Sequence, residues 1–258
     1  MSIHPTAIVS KKAKLGKDVK VGPYAIIGDE VKIKEGSSIG PHCVIEGKTT
    51  LGRRCQVFNA ATIGSCPQDL KYKGEVNFLE IGNENIIREY VTINPGTEEN
   101  SKTIVGSNNL IMAYSHIAHN CEIGNNCIIA NAGTLAGYVR LEDRVVVGGL
   151  VAIHQFTRVG TLAIIGGCSK VVSDIPPYST CDGHPARVYG LNLVGLKRQG
   201  ISREVIKELS HAFKVLFNSG LTTRNAIQSL GEEKHASTEI SHLINFIKNS
   251  KRGVCRQR

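Results

Sequence analysis

Three histidines are the side chains of this sequence best suited to acid–base chemistry. His116 and His119 lie three residues apart in the stretch SHIAHNCEIG, and His154 follows in IHQF. Histidine titrates near neutral pH, binds metals and also packs in protein interiors. A general base, a metal ligand and a structural role are therefore all possible. The choice depends on which side of the backbone each ring occupies.

The orientation of these rings follows from a repeat that runs through most of the sequence. An aliphatic residue recurs at every sixth position from Ile3 to Val171, and only Asp69, Glu75 and Glu99 interrupt the series. A period of six matches neither an α-helix nor an ordinary strand. It is typical of a short strand and a turn, three of which close one coil of a parallel β-helix. We predict an all-β parallel β-helix of hexapeptide repeats over residues 1–185.

The phase of the repeat places the histidines outside the coil. Ile117 belongs to the inward aliphatic series, so both His116 and His119 point outward. His154 follows inward Ile153 and is also outward, which argues against a core role for all three. A second inward series of small residues lies four positions after each aliphatic one. It includes four cysteines, which we interpret as core residues: Cys43, Cys55, Cys121 and Cys127.

Outward histidines leave a metal site or catalysis as the functional alternatives. Histidines of neighbouring chains can hold zinc with an open fourth position, as in the hexapeptide-repeat carbonic anhydrases. His116 and His119 lack the ligand spacing of those enzymes, and we predict no metal site. A neutral histidine that takes a proton from an attacking hydroxyl or amine fits the sequence better.

Composition limits the partners that we expect. The net charge of +9 suits an anionic or phosphate-bearing partner. No basic stripe is interleaved with aromatic residues, which argues against nucleic acid. The eight cysteines form no CxxC pair and are expected to be free thiols in a reducing compartment. No signal-type segment and no run of about 18 apolar residues occurs, so we expect a cytoplasmic protein without an integral membrane segment.

Two polar stretches interrupt the repeat and a helical pattern follows it. Residues 65–80 and 94–103 break the series, which resumes in phase after each, as loops extruded from a continuous coil would allow. Long loops of this kind are often functional; for residues 94–103 a tolerated insertion remains equally open. Amphipathic segments after the repeat predict a C-terminal α-helical domain over residues 186–258, with Ser202 as a helix N-cap.

Several motifs resemble those of the UDP-N-acetylglucosamine acyltransferases that begin lipid A biosynthesis. They are HPTAIV, QDLKY, HIAHNC, LAG, HQF, GGCS, PPY and GLKR, in the same order over essentially the whole chain. The resemblance implies a left-handed β-helix and a homotrimer with active sites between neighbouring chains. It implies transfer of a 3-hydroxyacyl chain from acyl carrier protein to the 3-position of UDP-N-acetylglucosamine. No metal or dissociable cofactor is implied, because the phosphopantetheine arm arrives on the carrier.

The resemblance also assigns roles to single residues. His119 aligns with the general base of the family, and Gly137 would offer its backbone N–H to the developing oxyanion. Substrate contacts are implied for Gln68, Asp69 and Lys71 from the adjacent chain, for His116, His154 and Gln155 in the cleft, for Asn192 and Arg198 at the nucleotide or pantetheine, and for Gly167 at the end of the acyl chain.

Four positions depart from the family pattern. Asn120 follows the aligned base where a carboxylate is frequent, and Gln199 replaces a frequent arginine. Asn94 and Tyr138 stand where the family has other residues near the acceptor, and Tyr138 is counted among the substrate-binding residues. A changed acceptor pocket leaves another sugar, or a 3-amino UDP-sugar acylated on nitrogen, as the alternative reaction.

Overall fold

The structure of the protein is a computed structural model, and it describes residues 1–233 and 237–256. Short strands follow one another around a coil and pair in parallel with the strands of the coils above and below. The strands form three sheets, here called A, B and C. The predicted parallel β-helix is confirmed.

The strands of each sheet, in chain order, have the following bounds. Sheet A contains Ser2–Ile3, Lys20–Val21, Ser38–Ile39, Gln56–Val57, Ile86–Ile87, Leu110–Ile111, Ile128–Ile129, Val146–Val147, Ile164–Ile165, Ser179–Gly183 and Ala186–Leu191. Sheet B contains Ile8–Val9, Ile26–Ile27, Val44–Ile45, Thr62–Ile63, Thr92–Ile93, His116–Ile117, Thr134–Leu135, Ala152–Ile153 and Lys170–Val171. Sheet C contains Lys14–Leu15, Lys32–Ile33, Thr49–Leu51, Phe78–Ile81, Lys102–Val105, Glu122–Ile123, Arg140–Leu141 and Arg158–Val159.

The six-residue series forms the core, as the sequence predicts. Ile117 pairs with Leu135 in the next coil, and both side chains are fully buried. The four cysteines predicted to be inward are at most 1% exposed. At the N-terminal end no described residue covers the column, and Ile3 keeps 38% of its surface exposed.

Both interruptions of the repeat leave the coil at the same corner. We call the turn from sheet B to sheet C corner BC; in the three coils after the second loop it comprises residues 118–121, 136–139 and 154–157. The first loop spans 64–77 and the second 94–101, so residues 78–80 and 102–103 of the predicted loops are strand instead. These residues pair with neighbouring sheet C strands, which is why they are extended.

In the described residues, a hairpin and four α-helices follow the coils. Ser179–Gly183 and Ala186–Leu191 pair antiparallel, so residues 186–191 of the predicted helical segment form a strand. The helices are α1 (Leu193–Arg198), α2 (Arg203–Phe213) with a π-helical turn Lys214–Asn218, α3 (Thr223–Glu232) and α4 (Thr238–Lys248). The hydroxyl of Ser202 accepts the N–H of Val205, which confirms the predicted cap. The segment 186–258 also includes 234–236 and 257–258, which lie outside the described residues.

Candidate active site

His119 lies at corner BC of the sixth coil, directly above the two loops. The loop 64–77 leaves the fourth coil and the loop 94–101 leaves the fifth. Because each coil stacks on its predecessor, the loops lie against the next coils at the same corner. The imidazole is consequently shielded, and only 14% of its side-chain surface is exposed.

The second loop and Asn120 together fix the protonation of the imidazole. Nδ1 of His119 lies 2.6 Å from the hydroxyl of Thr97 and 2.9 Å from Oδ1 of Asn120. The backbone N–H and the hydroxyl of Thr97 both donate to the same Oδ1, at 3.1 and 2.9 Å, so this atom is the amide oxygen and the hydroxyl hydrogen of Thr97 is not directed at Nδ1. An oxygen that only accepts requires the hydrogen to be on Nδ1. Nε2 of the neutral ring therefore keeps a free lone pair.

Asp69 faces the opposite nitrogen. Its Oδ2 lies 3.7 Å from Nε2 of His119 in the same chain, and its Oδ1 accepts the backbone N–H of Lys71 at 3.0 Å. The resemblance implies that Asp69 serves an adjacent chain; within one chain its carboxylate also lies beside His119, because both groups belong to corner BC. Gln68 and Lys71 are exposed on the same loop and make no hydrogen bond to His119 within the described part of the chain.

Gly137 supports the ring from the next coil. A Cβ at this position would lie 2.5 Å from Cε1 and 2.6 Å from Nε2 of His119, so the imidazole rests on the bare Cα. In residues 1–233 and 237–256 the N–H of Gly137 has no hydrogen-bond acceptor. A free N–H beside a basic nitrogen has the character of an oxyanion donor.

The other histidines and Gln155 lie close to the same corner. Nδ1 of His116 is 2.7 Å from the hydroxyl of Thr92; burial, and then the nearby charge of His119, lower the pKa of His116. His154 is exposed and donates from Nδ1 to the carbonyl of Gln155 at 3.2 Å. Gln155 occupies the position of His119 and Gly137 in the following coil. The predicted cleft residues are thus brought together in one chain.

Three predicted site residues lie elsewhere. Gly167 is exposed at the corner between sheets A and B. Asn192 caps α1: its side chain accepts the N–H of Gly195 at 2.9 Å and donates to the carbonyl of Leu162 at 2.9 Å. Arg198 ends α1 and is exposed. Within one chain, Gly167, Asn192 and Arg198 lie outside the corner that carries His119.

Two departures from the family pattern occupy unlike environments. Asn94 is 4% exposed and donates to the carbonyls of Ser65 and Cys66 at 3.0 and 3.2 Å. It anchors the base of the first loop. Tyr138 lies beside His119, with its ring at 89° to the imidazole.

Sequence reasoning missed Thr97 and Glu98. Oε2 of Glu98 accepts the amide Nδ2 of Asn120 at 3.1 Å, and Oε1 accepts the hydroxyl of Tyr138. The position of the second loop within the repeat could have indicated them. A loop that leaves at corner BC one coil before His119 must lie beside His119. The residue types alone suggested only a turn.

A groove runs from corner BC across sheet C to the end of α4. Its volume is about 960 Å³, a size typical of small-molecule sites. Tyr138 and Phe156 line one end, and Arg158, Lys251 and Arg252 line the other. Glu122, Glu142 and Asp174 also line the groove, so it combines apolar walls with charges of both signs.

The described residues hold no group of three or more potential metal ligands arranged as a site. Within the same residues, no helix is long and apolar enough to cross a membrane.

Comparison with known proteins places these features in a family. Residues 174–255 match the family model described as UDP N-acetylglucosamine O-acyltransferase, domain 2. Residues 12–47 and 102–136 match the bacterial transferase hexapeptide model. The chain is 49% identical to the acyl-[acyl-carrier-protein]–UDP-N-acetylglucosamine O-acyltransferase of Aliarcobacter butzleri, over 98% of this chain and 97% of that one. It is 52% identical to the enzyme of the same name from Thermodesulfovibrio yellowstonii, over 98% and 99%.

Solved structures agree with the sequence relatives. A UDP-N-acetylglucosamine acyltransferase from Bacteroides fragilis superposes with a TM-score of 0.96 at 40% identity, over 98% of this chain and 99% of that chain. The corresponding enzyme from Campylobacter jejuni gives 0.94 at 40% identity, with both chains fully covered. These matches confirm the left-handed parallel β-helix. The chain belongs to the family of UDP-N-acetylglucosamine O-acyltransferases.

Proposed function

We propose that the protein transfers a 3-hydroxyacyl chain from acyl carrier protein to the 3-hydroxyl of UDP-N-acetylglucosamine, the first step of lipid A biosynthesis. Relatives that match nearly the full chain are named for the transfer of an acyl group from acyl carrier protein to an oxygen of UDP-N-acetylglucosamine. The observation that carries the mechanism is the 2.9 Å contact between Nδ1 of His119 and Oδ1 of Asn120, an oxygen that already accepts the N–H of Thr97. From it we infer that Nδ1 carries the hydrogen and that Nε2 keeps its lone pair. A free Nε2 is what a general base requires at neutral pH.

In the proposed reaction, Nε2 of His119 takes the proton of the sugar hydroxyl as its oxygen attacks the thioester carbonyl. The N–H of Gly137 stabilises the charge that develops on the carbonyl oxygen. When the intermediate collapses, the carbon–sulfur bond breaks and the pantetheine sulfur takes the proton from the imidazolium. Asp69, 3.7 Å from Nε2, stabilises the imidazolium between the two steps. The chain needs no dissociable cofactor for this chemistry.

A complete site requires a second copy of the chain in this proposal. Gly167, Asn192 and Arg198 lie away from corner BC, so acyl-chain, nucleotide and pantetheine contacts come from the neighbour in a homotrimer. We also propose a cytoplasmic location. All eight cysteines are free, as expected in a reducing compartment.

The alternative acceptor is a UDP-sugar with a 3-amino group. It is favoured by Asn120, because a neutral amide against Nδ1 stabilises an imidazolium less than a carboxylate does. An amine attacks with its own lone pair and loses its proton only after the attack. N-acylation therefore works with a weaker general base than O-acylation does.

An acyl-transfer assay tests both reactions. It offers 3-hydroxyacyl carrier proteins with UDP-N-acetylglucosamine or its 3-amino analogue and follows the product by mass spectrometry. We expect O-acylation by the wild type and a loss of roughly 10²- to 10⁴-fold in His119→Ala. His4→Ala, which removes an exposed histidine of the first coil, is the matched control. N-acylation alone would select the alternative, and failure with both acceptors would refute the assignment.

A further inference from the structure

We propose that Glu98 is a positioning residue that supplies, through Asn120, the negative charge behind the catalytic histidine. The inference rests on the proposed role of His119 as base. Where the family frequently has a carboxylate next to the base, this chain has an amide. The structure places a carboxylate one hydrogen bond further away.

A continuous series of hydrogen bonds joins the two residues. Nδ1–H of His119 donates to Oδ1 of Asn120 at 2.9 Å, and Nδ2–H of Asn120 donates to Oε2 of Glu98 at 3.1 Å. The orientation of the amide is unambiguous, because the N–H of Thr97 also donates to Oδ1. An amide held in this way transmits polarisation from the carboxylate to the imidazole, and hydrogen bonds in series strengthen one another.

Tyr138 holds the far oxygen of the carboxylate. Its hydroxyl donates to Oε1 of Glu98, and its ring stacks on Phe156 at 4.8 Å between centroids. Tyr138 adopts the left-handed conformation with φ 61°, as do Asn120 and Phe156 at other turns of the repeat. Both oxygens of Glu98 are therefore fixed by the corner that carries the catalytic groups. Asn120 and Tyr138, two of the positions that depart from the family pattern, thus both donate hydrogen bonds to Glu98.

The neighbouring residue provides a contrast within the same loop. Glu99 accepts the backbone N–H of Val76 at 3.0 Å and thereby ties the two loops together. Glu98 and Glu99 are both exposed and carry the same charge, but only Glu98 contacts Asn120. Glu99→Gln is thus a matched control for Glu98→Gln.

The central experiment compares kcat, KM and the pH profile of Glu98→Gln with those of the wild type. Glutamine keeps an acceptor for Asn120 and removes the charge. We expect kcat to fall roughly tenfold, as is typical when a supporting partner is lost, with KM nearly unchanged. The acid limb of kcat/KM should move to lower pH, because the imidazolium loses a stabilising charge. Within the described residues, the other titratable groups that face His119 are Asp69, His116 and Tyr138, and all three remain.

A change at Asn120 gives a test that a merely structural role would not satisfy. Asn120→Asp in the wild-type background creates two carboxylates about 3 Å apart, whose repulsion should disturb the ring and reduce kcat. In the Glu98→Gln background, the same change places a carboxylate in direct contact with Nδ1 of His119, and we expect it to restore kcat. A substitution that is harmful alone and restorative in the double variant supports the proposal. Additive losses, or a Glu98→Gln enzyme with the kcat and pH profile of Glu99→Gln, would overturn it.

Nuclear magnetic resonance of the labelled imidazole keeps the test independent of turnover. We expect the Nδ1–H tautomer in the wild type and a titration midpoint that moves to lower pH in Glu98→Gln but not in Glu99→Gln. Equal midpoints would refute the role of Glu98 even if the acyl-transfer assay succeeds. The expected shift in a protein that transfers no acyl group would refute the proposed reaction and leave the coupling intact.

Discussion

Replacement of Gly137 by alanine should impair catalysis by displacing the base. The new Cβ would lie 2.5 Å from Cε1 of His119, whereas carbon atoms pack at about 3.5 Å. The ring must therefore move by about 1 Å. Its bonds of 2.6 and 2.9 Å to Thr97 and Asn120 cannot both survive that movement. Misplacement of a reacting group by this distance costs about 10²-fold, or roughly 2.7 kcal/mol of activation free energy.

Single-turnover acyl transfer at saturating substrate measures this loss directly. Alanine retains the backbone N–H, so the oxyanion donor stays in place and the loss reports the position of His119. The melting temperature should change by less than about 3 °C, because the displaced group is one side chain at a corner. Gly231→Ala is the control, since a Cβ there meets nothing within 4 Å.

Two results would refute the reasoning about Gly137. An alanine variant that keeps more than a third of the wild-type kcat would mean that the base does not depend on its contact with the bare Cα. A large fall in melting temperature together with the lost activity would mean that Gly137 serves the coil and not the imidazole.

Three further predictions concern other parts of the chain. Gly167→Leu should lower kcat/KM for the longest accepted acyl chain at least tenfold relative to shorter chains. A side chain at this position meets only the backbone of Gly149, at 3.3 Å, so the leucine can be accommodated and would occupy the space of the end of the acyl chain. Competition between acyl carrier proteins that carry chains of different length measures the effect. Burial raises the pKa of Glu142, but its bond to His242 and the donors of Thr161 prevail and lower it. The 3.0 Å ion pair should therefore stabilise the fold above about pH 4.5 and lose that effect in more acidic solution. Glu142→Gln should lower the melting temperature by a few degrees at pH 7, and the difference should shrink as the pH falls through the lowered pKa of Glu142. Finally, two of eight thiols should react rapidly with a disulfide reagent in the native protein, since only Cys66 and Cys168 are exposed; more than two fast thiols would contradict the buried column.

The core and the orientation of the histidines were predictable because both depend on one period. Because Ile117 points inward at the end of a sheet B strand, His119 two residues later must lie in corner BC. The contacts of the loops were not predictable in the same way, since loop residues have no period. Thr97 and Glu98 acquire their role only from the stacking of the fifth coil under the sixth.

Asn192 shows a different limit. The resemblance implies a substrate contact for this residue, and within one chain its side chain caps α1. Asparagine before a helical segment is a common N-cap, and that reading was available from the sequence. Residues at other corners, such as Gly167, require a second chain before their relation to His119 can be seen.

The uncovered end of the aliphatic column has a consequence for the dynamics of the molecule. Coils contact only their immediate neighbours, so opening proceeds one coil at a time from the least protected end. Ile3 keeps 38% of its surface exposed, whereas the last coil is covered by the hairpin and the helices. Amide hydrogen exchange should therefore slow progressively from the first coil inward. Local unfolding of the first coils leaves the sixth coil folded. The corner that carries His119 therefore keeps its geometry while the N-terminal end opens and closes.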